Sequence, residues 1–130
     1  MDIETLREFC LSLPYTTEEF PFDEYVLAFK VEGKIFLFTD LSDDIPWANV
    51  KCDPDKALYW RDRYDYVLPG YHMNKRLWNT IDYTRARDEQ MRQWICHSYI
   101  EVVRKFAKSQ QDKYLSAVKA HYPQYIDTEE

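Results

Sequence analysis

The segment "LPGYHMNKRLWNT", residues 68–80, gathers the side chains of this sequence best able to do chemistry. His72 could exchange a proton near neutral pH if Asn74 or a carboxylate oriented its ring. Lys75 and Arg76 could neutralise phosphates, Asn74 and Asn79 could reach base edges, and Trp78 or Tyr71 could stack on a nucleobase. Each residue also has a plainer use. His72 could hydrogen-bond the backbone of the loop after Gly70, Trp78 could be core, and the two cations could form a solvated turn. No nucleophile or second acid–base group stands at a recognisable spacing from His72, so catalysis is the weaker reading.

Other chemistries are missing by composition. Two glycines cannot write a phosphate-cradling loop or a dinucleotide fingerprint. Three histidines and three cysteines do not recur at metal-ligand spacing. Cys96 and His97 are adjacent, so a helix would point them in different directions. Neither a metal nor a cofactor is expected. Cys10, Cys52 and Cys96 are odd in number and far apart, which suits reduced thiols in a cytoplasmic protein. Cys96 sits one position off an apolar stripe and reads as a half-buried small hydrophobe. No window reaches membrane-spanning length, and "MDIETLREF" is too acidic for a signal peptide, so no membrane partner is expected.

Charge is uneven along the chain. The net charge is −6 and the pI about 5.1, against generic polyanion binding. Yet residues 1–46 carry three Lys/Arg against eleven Asp/Glu, whereas residues 47–87 carry eight against five. The signature segment lies in the only basic third, with Lys51, Arg61 and Arg63. The acidic group Glu18, Glu19, Asp23 and Glu24 reads as a solvated loop face.

The elements that must position these residues follow from periodicity. Asp2 caps a first helix with Ile3, Leu6, Phe9, Cys10 and Leu13 on its apolar side, stopped at Pro14. "YTTEEFPFDE" reads as a connecting loop. "YVLAFKV" (25–31) and "KIFLFTD" (34–40) form an antiparallel hairpin about Glu32-Gly33, the second strand apolar on both faces and therefore central. "WANVKC" (47–52) alternates, with Ala48, Val50 and Cys52 inward and Trp47, Asn49 and Lys51 outward. Asp53-Pro54 starts a helix that runs to about Arg63. A short extended piece and the Pro69-Gly70 turn lead to a strand at 77–83. Asp88 caps the longest helix, with Met91, Ile95, Ser98, Val102 and Phe106 on one stripe. "SQQD" (109–112) reads as a capping box for a last helix ending at Pro123, and residues 124–130 as a frayed tail. The expectation is one α+β domain over 1–130, an antiparallel sheet of four to five strands with helices before, within and after it.

Four stretches together carry a family resemblance: "FPFDEYVLAFKVEGKIFLF", "VKCDPDKALYWRDRY", "LPGYHMNKRLWNT" and "ICHSYIEVVRKF". In this order they resemble the YjbR/MmcQ family of small bacterial proteins, over about residues 3–107, leaving 108–130 as a helical extension. The resemblance implies a fold of the CyaY-like and secretion-chaperone-like group. It also implies the DNA-binding label attached to the family through a proposed double-wing arrangement of hairpins, and it brings no catalytic residues. The signature falls on Lys51, Cys52, Pro69, Gly70, Tyr71, His72, Asn74, Lys75, Trp78 and Asn79, with Tyr71 and Trp78 expected to anchor the segment to the sheet.

Three functions follow in order of expectation. The first is double-stranded DNA binding through Lys51, Arg61, Arg63, His72, Asn74, Lys75, Arg76, Trp78 and Asn79, extended by Arg85 and Arg87. The second is a protein-interaction or chaperone-like module, homodimeric or with another partner, held by the aromatic-rich sheet or the C-terminal helices. The third is an enzyme using His72.

Overall fold

Glu32 and Gly33 both take positive φ, 52° and 75°, the combination a two-residue hairpin turn of the tightest kind requires. That turn joins β2 (Val26–Val31) to β3 (Lys34–Asp40) in antiparallel register, with Phe29 opposite Leu37 and Leu27 opposite Thr39. The register slips once between Phe29 and Lys30, leaving Phe36 as the extra residue of a bulge. The computed structural model of the protein describes residues 1–126.

Around this hairpin the sheet grows to six strands, one or two more than the sequence suggests. Its order is β1 (Thr16–Glu19), β2, β3, β4 (Trp47–Lys51), β6 (Trp78–Asp82) and β5 (Val67–Pro69), antiparallel throughout. The unexpected strand is β1, inside the stretch that reads as a loop. Thr16 to Glu19 lack an apolar alternation because β1 is an edge strand, held by backbone pairing with β2 and by ion pairs to Arg7 and Lys30. Tertiary pairing supplies what local pattern does not.

Alternation divides the sheet into two unlike faces. Phe29, Leu37, Ala48, Val50, Ile81 and Val67 line one face and are buried. Helix α3 (Asp88–Val103) lies across β2, β3 and β4 on that side. Helix α1 (Ile3–Ser12) packs at β1, and α2 (Pro54–Arg63) at β5 and β6. Helix α4 (Lys108–His121) packs on α3 and is followed by a short 3-10 turn at Pro123–Tyr125. The opposite face carries Phe38, Trp47, Asn49, Trp78, Thr80 and Leu68, and no helix of the described residues covers it.

Three local expectations change. Asp88 is the first residue of α3 rather than its cap; its carboxylate pairs with the Met1 ammonium at 3.0 Å. The Ser109–Asp112 capping box does not form, because α4 already starts at Lys108 and places Ser109 inside its first turn. Residues 124–126 are not frayed: Tyr125 and Ile126 bury against the core, with Tyr125 edge-on to Phe9. The rest of that expected tail, 127–130, lies outside the described residues.

Candidate functional site

The signature segment is a closed structure held from both ends. Asn74 organises its turn: its side-chain oxygen accepts from the Arg76 N–H at 3.0 Å, and its carbonyl accepts from the Leu77 and Trp78 N–H groups. Gly70 N–H donates to Trp78 O at 2.8 Å, extending the β5–β6 pairing by one residue. A Cβ on Gly70 would lie 2.7 Å from Trp78 Cβ and 2.8 Å from its carbonyl oxygen. Glycine is needed here for close backbone approach, since the positive φ of the segment falls on His72 instead, at 59°.

Arg61 ties this loop to α2. Its Nε donates to Asn79 Oδ1 at 2.6 Å, and its terminal nitrogen donates to Trp78 O at 3.1 Å and to Lys75 O. Asn79 Nδ2 donates to Ala57 O at 3.3 Å, and the residue is fully buried. Two of the residues expected to meet nucleic acid are thus committed inside the protein. The buried Asn79 amide cannot reach a base without opening the loop, and three of the donors of the half-buried Arg61 are already spent on internal acceptors.

The remaining candidates scatter. Lys75 is exposed, with Nζ turned back to Gly70 O at 3.2 Å, and Arg76 and Asn74 are exposed beside it. Arg63 stacks over Tyr59 at 5.0 Å on the outer side of α2. Lys51 is half-buried at the end of β4; burial lowers its pKa below the ordinary lysine range, and Lys105 lowers it further. Arg85 pairs with Asp65 at 2.8 Å and lies over Tyr66. Trp78 is half-buried against Phe38, with ring centroids 5.9 Å apart, and anchors the segment to the open face as expected. Tyr71 does not: it is 66% exposed and its ring lies on His72, centroids 4.0 Å apart. Among the described residues nothing hydrogen-bonds the His72 ring, so neither Asn74 nor a carboxylate orients it.

What the segment does help to build is a hollow of about 380 Å³ on the open face. Phe38, Trp47, Leu68, Ile45, Val26 and Tyr71 wall it. Asn49 and Thr80 form its buried polar floor. Thr80 Oγ1 accepts from the Tyr71 N–H at 2.9 Å and donates to Asn49 Oδ1 at 2.5 Å. The Asn49 Nδ2 then has no protein partner among the described residues. Sequence alternation already put Trp47 and Asn49 on this face; that β4 and β6 bring Asn49 beside Thr80 is a long-range pairing that local pattern does not encode.

The buried ionisable groups serve structure. His97, half-buried, lies at the start of α2, where Nε2 accepts from the Asp53 N–H at 3.1 Å. Burial pushes its pKa down to about 4, helped by Lys56 and Arg104 and opposed by Asp53. Cys96 is fully buried rather than half-buried, because the stripe of α3 is wide enough to include it. Burial raises the Cys52 and Cys96 thiols to about 12 and Cys10 well above its usual value, so none is a ready nucleophile. Among the described residues no group of three His, Cys, Asp or Glu could hold a metal ion, and no helix is long and apolar enough to cross a membrane.

A six-stranded antiparallel sheet, layered with helices on one face and open on the other, defines this as a single-domain α+β protein. The family model described as YjbR matches residues 11–100, and the chain belongs to the YjbR family. It is 37% identical over 78 residues to the uncharacterized protein YbdF of Escherichia coli O157:H7, a match covering 60% of this chain and 64% of that one. It is 27% identical over 81 residues to the uncharacterized protein YjbR of E. coli K12, covering 62% and 69%. A crystal structure of the Deinococcus radiodurans protein DR2400, of domain type DUF419, superposes with a TM-score of 0.80 at 30% identity over 86% of both chains. A Pseudomonas syringae protein shares the fold at a TM-score of 0.65 and 17% identity, covering 75% of this chain and 96% of that one.

Proposed function

We propose that the protein is a binding module whose working surface is the open face of the sheet, centred on the hollow over Asn49 and Thr80. The observation that carries this reading is the hollow itself. Its volume of about 380 Å³ lies in the range of small-molecule sites, and its composition has their character: apolar and aromatic walls with few convergent polar groups. A helix-free face with exposed Leu68, Ile45 and Tyr71 is otherwise a poor surface to present to water. The test is a ligand-observed NMR screen of small aromatic compounds against wild type and Leu68→Trp, which fills the mouth of the hollow. Binders that lose their signal with the variant support the reading. Binders indifferent to it, or none at all, overturn it.

Double-stranded DNA binding is the second reading. One observation favours it: Lys75 and Arg76 are exposed in the basic third of the chain and line one shallow depression with Leu58, Arg61 and Asp55. Phosphate neutralisation by this group requires steep salt dependence. Fluorescence anisotropy of a labelled duplex at ~50 and ~200 mM salt tests it, with Lys75→Ala/Arg76→Ala beside wild type. A salt slope that falls by about one for each lost contact supports it. Absence of binding at low salt overturns it.

A further inference from the structure

The hollow is apolar in its walls and one-sided in its charge. Asp40 and Asp43 are among its lining residues, and no lysine or arginine is. Both carboxylates are held in place by one oxygen. Asp40 Oδ1 accepts from Ser42 N–H at 2.9 Å and Ser42 Oγ at 2.6 Å, which also holds its pKa below the ordinary carboxylate range. Asp43 Oδ1 accepts from Ile45 N–H at 2.9 Å. In each case Oδ2 has no protein partner among the described residues. The loop holding Asp23 and Glu24 meets the loop holding Asp43 and Asp44 through Leu41 N–H donating to Tyr25 O at 2.9 Å.

At the floor the charge pattern gives way to a single donor. Asn49 lines the hollow and its Nδ2 has no acceptor supplied by the protein among the described residues, so a purely hydrocarbon occupant would leave it unsatisfied. Trp47, Phe38 and Tyr71 are aromatic, and aromatic rings attract a cation as well as an apolar body.

Resting on the reading of the hollow as a ligand site, we infer that its occupant is a small organic amine. Its apolar or aromatic body lies against Trp47, Phe38 and Leu68, a hydrogen-bond acceptor at one end meets Asn49, and a protonated nitrogen at the other meets Asp40 and Asp43. Anions of the same shape are disfavoured, because the carboxylates repel them and no lysine or arginine lines the site, His72 being its one basic side chain.

The test compares three compounds sharing one phenol body: tyramine, tyrosol and 4-hydroxyphenylacetate, which end in an amine, an alcohol and a carboxylate. Calorimetric titrations at ~20 and ~200 mM salt are run on wild type and on Asp40→Asn/Asp43→Asn. Both aspartates are exposed, so the variant is expected to fold. Wild type should bind tyramine roughly fivefold or more tightly than tyrosol at low salt, with 4-hydroxyphenylacetate weakest, as one or two exposed ion pairs allow. The double variant should bring tyramine to the level of tyrosol and leave tyrosol unchanged. Equal binding of tyramine and tyrosol, unaffected by the substitutions, overturns the amine inference while leaving the site in place. Failure of all three to bind overturns the site as well.

Discussion

Arg61 Nε lies 2.6 Å from Asn79 Oδ1, and through that bond the second helix holds the signature loop against the sheet. The same guanidinium caps the carbonyls of Lys75 and Trp78, so one side chain closes both arms of the loop. Replacing Arg61 with alanine strands Asn79 Oδ1 in a buried setting. It should cost about 1.5–3 kcal/mol, the range for hydrogen bonds to charged groups. Amide exchange at Leu77 and Trp78 should quicken more than elsewhere. Arg61→Lys should recover little, since a single ammonium cannot replace the planar fork. Unchanged exchange in this loop would show that Arg61 does not hold it.

Gly70→Ala tests the close approach of the two backbones. The new methyl meets Trp78 Cβ and its carbonyl, which are parts of a paired strand and cannot swing aside. Chemical denaturation should report a loss of about 1–3 kcal/mol, as for overpacking of a filled site. Because Trp78 rests on Phe38, its fluorescence should shift too. A neutral substitution would mean that the loop relaxes freely.

Stability should fall with acid through His97. Its folded pKa, about 4, lies below the unfolded value of 6.5, so the unfolded chain binds the extra proton first. The contribution is complete above pH ~6.5 and drains away as pH falls towards ~4, by up to about 3 kcal/mol. In His97→Gln the slope of unfolding free energy between these limits should flatten. Persistence of the wild-type slope would show that His97 does not carry it, since Asp2 and Asp40, held below their usual range by hydrogen bonds, take up protons mainly below pH ~4.

Ser98 joins the long helix to the sheet. Its hydroxyl donates to Phe36 O at 2.5 Å and accepts from Lys51 N–H at 2.8 Å, at the place where the bulge interrupts the β3 ladder. Ser98→Ala leaves both backbone groups without that partner and should cost about 1–3 kcal/mol in thermal or urea unfolding. Ser98→Thr keeps the hydroxyl and should cost less. An alanine variant as stable as wild type would refute the bridging role.

The amino-acid sequence by itself determined the hairpin at Glu32-Gly33, the start of α2 at Asp53-Pro54, the inward set of β4 and the stripe of α3 as far as Val102, Phe106 falling beyond the helix end at Val103. Each rests on near neighbours: a turn needing positive φ, a capping carboxylate before proline, and a period of two or near 3.6. The family was also legible, because its signature is a run of residue types. Only the tertiary structure decided the β1 edge strand, which local polarity hides, and the fate of the polar signature. Arg61 and Asn79 read as ligand contacts until α2 and β6 meet. Asn49, Thr80, Asp40 and Asp43 read as unrelated until four segments converge on the open face. Hydrogen bonds between residues eighteen to thirty-one positions apart have no signature in a local window. The hollow they frame lies on the face of the sheet that no helix of the described residues covers.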